Sequence, residues 1–280
     1  MNREKFIATL FLIPFFVVFF MFIAAPFLWI LINSFIDQNG EWGFDNYKEI
    51  FDSRFFMQSF LNSFYISLIS SFVALIISLF GSYSLYKIQT SHFGNLFLSL
   101  NTMTSNFSGV PLAFAFIILM GANGAINLLF KDLGIDFVID IYGSVGINLV
   151  YIYFQIPLAI LLLYPAFNVL DKQSSESSDI LGASRAIYWL KVAIPIMMPS
   201  IIGVFIVLFA NAVGAYATIY ALSSGNFNVV PVRIASLIAG DIDLNPYLAS
   251  ALSVMLFCLM FIIALMLFYV SNLFNYKRQI

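Results

Sequence analysis

Residues 6–32 read FIATLFLIPFFVVFFMFIAAPFLWILI, a run without one charged side chain. A helix needs about 20 mostly apolar residues to cross the hydrocarbon core of a bilayer. This run exceeds that length, and it also exceeds the roughly 7–15 apolar residues of a secretory signal. Arg3 and Lys5 precede it as they would in a signal, but no convincing cleavage site follows. The run therefore reads as a retained first membrane helix.

Outward from it, five more stretches have the same character: Leu61–Tyr86, Leu96–Met120, Val145–Phe167, Pro199–Ala221 and Tyr247–Leu273. The third is the weakest, because Asn101 to Ser108 is polar, and a five-helix reading would drop it. Composition agrees with a membrane chain. Hydrophobic residues make up 62% and charged residues 9%, against about 25% charged in a soluble domain. Such a chain has too little polar surface to face water, so lipid must be its solvent. The expected fold class is all-α integral membrane, six transmembrane helices in a single transmembrane domain over residues 1–280.

Charge and rare residues exclude several functions. The net charge of −2 comes with no basic patch, so a nucleic-acid partner is not expected. Cys258 is the only cysteine and His92 the only histidine, which leaves no disulfide, no cysteine zinc site and no expected metal site. No Asp, Glu, Lys, Arg or His sits mid-span, whereas proton relays and ion-coupled carriers usually depend on such residues. H-E-x-x-H, G-x-S-x-G and the P-loop are all absent, so no catalytic residue is assigned. Any ATP-driven work must come from another subunit.

Orientation follows from lysine and arginine in the connections. With a cytoplasmic N-terminus, eight of the twelve basic residues fall inside, among them Arg3, Lys5, Lys87, Lys172, Arg185 and Lys191. Both termini are then expected in the cytoplasm. The outer connections are more than turns. Asp37 to Phe60 suggests a short amphipathic segment, and Asn123 to Gly143 an interfacial helix. In Ser223 to Asn245 an apolar stretch, Val229 to Ile238, is expected to be broken by Pro231 and Arg233. Prolines 14, 26, 111, 157 and 165 lie in or at the ends of spans and read as shaping kinks.

The polar residues inside the spans are neutral. Asn101, Thr102, Thr104, Ser105, Asn106 and Ser108 gather in the third, and Asn211, Tyr216, Thr218 and Tyr220 in the fifth. Asn62, Ser63 and Ser67 open the second. Such groups either bond between helices, since lipid offers them nothing, or line a solute path. The sequence leaves both readings open.

One connection is distinctive. Between the fourth and fifth spans, about 168–198, the chain is long and polar. It reads Glu176-Ser177-Ser178-Asp179-Ile180-Leu181-Gly182-Ala183, runs on to Lys191, and closes with Val192-Ala193-Ile194-Pro195. Ser174 or Ser175 can cap a helix whose positive end suits Glu176 and Asp179. Gly182 supplies a turn that other residues resist. Ala183 to Lys191 is expected to form a second short helix, with Pro195 starting the next span. A helix–turn–helix of this kind is a natural docking knob.

This segment resembles the EAA loop of inner-membrane permease subunits of ABC importers. That pattern runs Glu-Ala-Ala, three residues, Gly, nine residues, Ile-x-Leu-Pro. The spacing is met by Glu176, Gly182, Val192, Ile194 and Pro195, with serines 177 and 178 in place of the two alanines. Phe44-Asp45-Asn46-Tyr47 and Phe60-Leu61-Asn62-Ser63 look like the family's entry to the second span. Asn211–Ala221 and Asn245–Val254 are similar to the polyamine, iron and aminoalkylphosphonate group.

The resemblance implies a type I importer permease in a bacterial plasma (inner) membrane, working by alternating access. It implies that Glu176, Ser177, Ser178, Gly182, Ala183 and Pro195 form a coupling helix docked on a cytoplasmic ATPase dimer. ATP and Mg would be held by that partner, with no cofactor in this chain. The other implied partners are a second permease chain, expected to be a paralogue, and an extracytoplasmic solute-binding protein. For the translocation path the residues chosen are Asn101, Asn106, Asn211, Tyr216 and Tyr220. The expected solute is a polyamine such as spermidine or putrescine, or an aminoalkylphosphonate, with iron(III) and thiamine as further options. The competing reading is an ion-coupled secondary carrier, against which the uncharged spans and the 176–195 motif both speak.

Overall fold

The computed structural model describes residues 12–135, 137–170, 178, 180–240 and 244–276, with the side chains of 273–276 left aside. Among the described residues the chain is helical, and its only extended pairing is an isolated bridge between Ile36 and Trp42. In chain order the helices are α1 (Leu12–Asn33), α2 (Asp45–Asp52), α3 (Arg54–Lys87), α4 (His92–Ser105), α5 (Gly109–Met120) and α6 (Ala125–Asp132). They continue with α7 (Ser144–Leu163), α8 (Arg185–Val213), α9 (Tyr216–Ser223), α10 (Val230–Ala239) and α11 (Pro246–Tyr276). Six stretches among them are long and apolar enough to cross a membrane, so the six-span all-α expectation holds.

Three boundaries differ from the sequence reading. The third stretch is not one helix, because it breaks at 106–108, where Gly109 takes φ +71°. By length and apolar content Gly109–Asp132 also qualifies as a span, but residues 121–124 interrupt that as well. Alone, the 12 residues of α5 rise only about 18 Å, well short of the hydrocarbon core. The fifth span begins fourteen residues earlier than Pro199, at Arg185, and stops at Val213, where Gly214 and Ala215 separate it from α9. The expected second short helix of the loop is therefore simply the first turns of α8. Finally, Pro231 and Arg233 do not break the outer segment. Proline sits in the first turn of α10, where its missing N–H costs nothing.

Proline explains the irregular turns. A wide π turn, Phe20–Ala24, ends two residues before Pro26. Another, Trp189–Ala193, ends two residues before Pro195. A proline ring collides with the carbonyl four residues back and offers it no N–H. Widening the preceding turn moves that carbonyl aside and keeps the helix continuous.

The chain divides into two compact units. One holds the residues up to Phe60 with Arg233–Leu259, and the other holds Leu61–Val232 with Met260 onward. In the first unit, Phe27 meets Phe257 edge-on at 4.9 Å. Asn245 caps α11 there, its Oδ1 accepting from the Leu248 N–H at 3.0 Å.

The second unit is organised by a stripe of small residues on α3. Ser63, Ser67, Ser70, Ser71, Ala74, Ser78 and Ser82 are all buried and recur every three or four positions, which keeps them on one helix face. Small residues allow two helix backbones to approach closely in lipid. Here the neighbour is α7. Gln155, fully buried, donates to Ser70 Oγ at 2.8 Å and accepts from Ser71 Oγ at 2.9 Å. Ser78 and Ser82 donate to the carbonyls of Ile156 and Ile160. A Cβ on Gly81 would stand 2.9 Å from Ile160 Cδ1. Apolar packing then closes the unit around Ile66, Leu112, Phe116, Tyr151 and Ile219 at one level, and Leu163, Phe167, Met197 and Leu208 at another.

Candidate functional site

Two places in the second unit carry functional geometry: a polar cleft between broken helices, and the end of the 168–198 connection.

The cleft lies where two helix breaks meet. One break, with Ser105, Ser108 and Gly109, separates α4 from α5. The other, with Gly214 and Ala215, separates α8 from α9. Together with Asn211, Tyr216 and Thr218, and with Phe154 and Leu158 of α7, they surround a cavity of about 690 Å³. The breaks are tied together. The Gly109 N–H donates to Thr218 Oγ1 at 3.1 Å, and the Tyr151 hydroxyl donates to the freed carbonyl of Ala215 at 2.8 Å. Non-helical backbone at membrane depth is tolerated only where protein or a water-filled cavity satisfies it, and here Thr218 and Tyr151 do so.

The lining mixes polar and apolar groups and is uncharged. No Asp, Glu, Lys, Arg or His contributes to it. Ser108 makes no capping bond to α5, and the Asn211 side chain has no hydrogen-bond partner among the described residues. Both remain available to a solute. Tyr216 leans on Tyr220, with ring centroids 5.2 Å apart.

Of the five residues chosen from sequence for a path, the cleft contains Asn211 and Tyr216. Tyr220 supports Tyr216 from behind and does not line the cavity. Asn101 lies elsewhere, donating to the Pro157 carbonyl at 2.9 Å beside a separate, mostly apolar cavity of about 480 Å³. Asn106 is spent locally on the Thr102 carbonyl. Sequence reasoning missed Gln155 and most of the serine stripe. The signal was available, as an amide midway along an apolar span and serines at a three-to-four-residue period.

In the 168–198 connection, Glu176 and Ser177 lie outside the described residues. Ser178 is buried, and its carbonyl accepts from the Ala183 N–H at 3.0 Å, while Gly182 takes φ +73°. A bond from residue six to residue one, with a left-handed glycine between, is the Schellman stop of a helix. Gly182 is thus a helix terminator, and space is not the issue, since nothing lies within 4 Å of a Cβ placed there. The stop leaves Ile180 and Leu181 85% and 84% exposed. After it Ser184 caps the next helix, its Oγ accepting from the Ile187 N–H at 3.4 Å. Pro195 follows the π turn within α8.

The base of α8 is wedged into the unit by aromatic rings. Trp189 meets Tyr83 edge-on at 4.8 Å and Phe167 at 6.5 Å. The Lys87 ammonium lies 4.6 Å over the Tyr83 ring. These rings join the first turns of α8 to the C-terminal end of α3 and to Phe167.

The helix breaks and the capped turn ahead of a long apolar helix recur in a known fold. The fold is that of the membrane subunits of ABC importers. A bacterial ABC transporter that imports the acidic polysaccharide alginate superposes over 96% of this chain and 96% of its own, with a TM-score of 0.76 at 16% identity. The MetNI methionine ABC transporter, in inward-facing conformations, superposes over 78% of this chain and 95% of its own, with a TM-score of 0.59 at 14% identity.

By sequence the chain is similar to permease proteins of ABC transporters. The spermidine/putrescine transport system permease protein PotB of Haemophilus influenzae is 26% identical over 92% of both chains. The inner membrane ABC transporter permease protein YcjP of Escherichia coli is 27% identical over 70% of this chain and 66% of its own. No protein-family profile matches the chain.

Proposed function

We propose that this chain is the permease subunit of an ATP-driven importer, docks its ATPase through the 176–195 loop, and supplies half of the solute path. The observation that carries the docking is the pair Ile180 and Leu181. They stand almost fully exposed at a helix end in a polar connection, and apolar side chains of this size there call for a protein pocket. Trp189 against Tyr83 and Phe167 gives such a contact a mechanical route into the spans. The cleft with Asn211 and Tyr216 is the passage on this side, the second permease chain completing it. An extracytoplasmic binding protein delivers the solute, and the membrane is a bacterial inner membrane with both termini in the cytoplasm.

The proposed solute is a polyamine. Similarity to a spermidine/putrescine permease across 92% of both chains supports this, as do tyrosine faces suited to an organic cation. The uncharged lining fits a conduit of low affinity, with selection left to the binding protein. An aminoalkylphosphonate is the other solute to test.

The experiment is purification from the native membrane in mild detergent, with mass spectrometry of the co-eluting chains, for wild type and Leu181→Asp. A P-loop ATPase that accompanies wild type and is lost from the variant is expected. A chain that purifies alone, and takes up solute on an ion gradient without ATP, would replace this reading by the secondary carrier.

A further inference from the structure

In the unit that contains α1, the membrane boundary can be located from the residues themselves. Asn33 is the first polar side chain of α1 after the run from Leu12. No polar side chain precedes it from Leu12 to Ile32, so the helix can leave the hydrocarbon first at Asn33. The chain then turns at once into a tight hairpin. Ile36 bridges Trp42, the Gly43 N–H donates to the Phe35 carbonyl at 2.8 Å, and the Asp37 N–H to the Glu41 carbonyl at 3.0 Å. Within the loop the Asp37 carboxylate accepts from the N–H groups of Glu41 and Asn39, and the Glu41 bond chiefly holds its pKa below the usual carboxylate value.

The hairpin fixes Trp42 level with Ile36, three residues past Asn33, so at most about 10 Å beyond the hydrocarbon edge. The next helix is tied to the same point. Asn46 Nδ2 donates to the carbonyls of Ser34 and Ile36, and the Tyr47 hydroxyl donates to Ser34 Oγ at 2.7 Å. With Asn46 and Ile50 turned inward, α2 presents an outer surface divided in two. Phe44 and Phe51, two turns apart, share one flank with Lys48 between them. Asp45 and Glu49 occupy the other. Trp42, Phe44 and Phe51 are 71%, 71% and 61% exposed.

We propose that Trp42, Phe44, Phe51 and Lys48 form an interfacial rim that seats the hairpin and α2 in the headgroup layer of the bilayer. Lipid is the favoured occupant because the rim continues directly from the end of a lipid-facing span and lies at headgroup height. Indole and phenyl rings with a lysine that can extend to phosphate match that layer, and the acidic flank of α2 is left for water. The rim would fix how deeply α1 sits and resist its tilting.

The test uses the full chain in phosphatidylcholine liposomes, with Trp29→Phe and Trp189→Phe leaving Trp42 as the one indole. Lipids brominated near the headgroup should quench its fluorescence roughly twofold more than lipids brominated near the chain end, as for other interfacial tryptophans. Iodide in the water should quench it weakly. Strong iodide quenching without bromolipid quenching would put Trp42 in water and overturn the proposal. Silence towards both quenchers would put it against protein, as in a second copy, and overturn it equally. If the tryptophan replacements fail to fold, a nitroxide on Phe51→Cys in the Cys258→Ser chain gives the same answer. Relaxation by oxygen should then exceed relaxation by a water-soluble nickel chelate, and the reverse would sink the rim.

Discussion

The seam between α3 and α7 and the cleft between the broken helices use the same kinds of residue, neutral amides and hydroxyls, to opposite ends. In the seam, Gln155, Ser70 and Ser71 satisfy one another with no exposure to solvent. In the cleft, Asn211 and Ser108 face about 690 Å³ of open space, unpartnered among the described residues. Residue type therefore does not separate the seam from the proposed passage. Pairing does, because an unpaired polar group in lipid costs several kcal/mol unless water or solute reaches it.

The largest effect should come from the cleft. Asn211→Leu with Tyr216→Leu is expected to lower ATP-driven uptake by the assembled importer about tenfold or more, equivalent to 1.4 kcal/mol or more on the barrier. Thermal unfolding in detergent should shift little for Asn211→Leu alone, whose side chain has no bond to lose, and more for Tyr216→Leu, which gives up its packing on Tyr220. A large loss of stability with unchanged uptake per folded molecule would show that the cleft is scaffolding, and would erase the contrast drawn above.

The seam should behave the other way. Gln155→Leu leaves the Ser71 hydroxyl without its acceptor, while Ser70 loses a donor but still donates to the Ser67 carbonyl. The substitution is expected to cost about 1–2 kcal/mol, the upper range for an interhelical bond in lipid. For a chain of this size that lowers the midpoint of unfolding by roughly 2–4 °C. Adding Ser70→Ala and Ser71→Ala should recover much of the loss, since removing every partner of a buried bond costs less than orphaning one. Uptake per folded molecule should stay near wild type throughout. A triple variant no more stable than Gln155→Leu would mean that packing, not pairing, sets the seam.

Gly182→Ala tests the loop in the same spirit. With φ +73° and open space around it, alanine pays only for the left-handed backbone, about 1 kcal/mol. The expected outcome is weaker ATPase association with intact spans, and partial rescue by Gly182→Asn, since asparagine tolerates that conformation better. Equal behaviour of alanine and asparagine would separate the glycine from the helix stop.

Much of this was legible in the sequence. Apolar length alone located α7 and α11 closely, and α3 except for its first two turns, Arg54–Phe60, whose polar residues read as part of the outer connection. The spacing from Glu176 to Pro195 pointed to the loop. The breaks at 106–108 and 214–215 were not legible, since Asn106, Ser108, Gly214 and Ala215 are all acceptable within a membrane helix. What breaks the chain there is tertiary: Thr218 receives the Gly109 N–H and Tyr151 donates to the Ala215 carbonyl. The start of α8 was misjudged for a related reason. Pro195 reads as a helix start, yet the π turn before it lets the helix run through. Nothing in one sequence shows that Asn101 serves the Pro157 carbonyl and stands apart from the cleft of Asn211 and Tyr216.

Those cross-links also yield the smallest effect. Thr218→Val keeps the shape of the side chain but removes the acceptor for the Gly109 N–H. The expected cost is about 0.5–1.5 kcal/mol, that of one intramolecular hydrogen bond, and the open cleft should reduce it by letting water replace the lost acceptor. Thr218→Ser restores the acceptor without the methyl group and should return both stability and hydrogen-exchange protection at Gly109 to wild type. If the break is held by this bond, exchange at Gly109 rises in the valine variant while exchange in the α3–α7 seam does not. A rise in both regions would mean that the breaks and the seam open together, so that the passage and its scaffold form one cooperative unit.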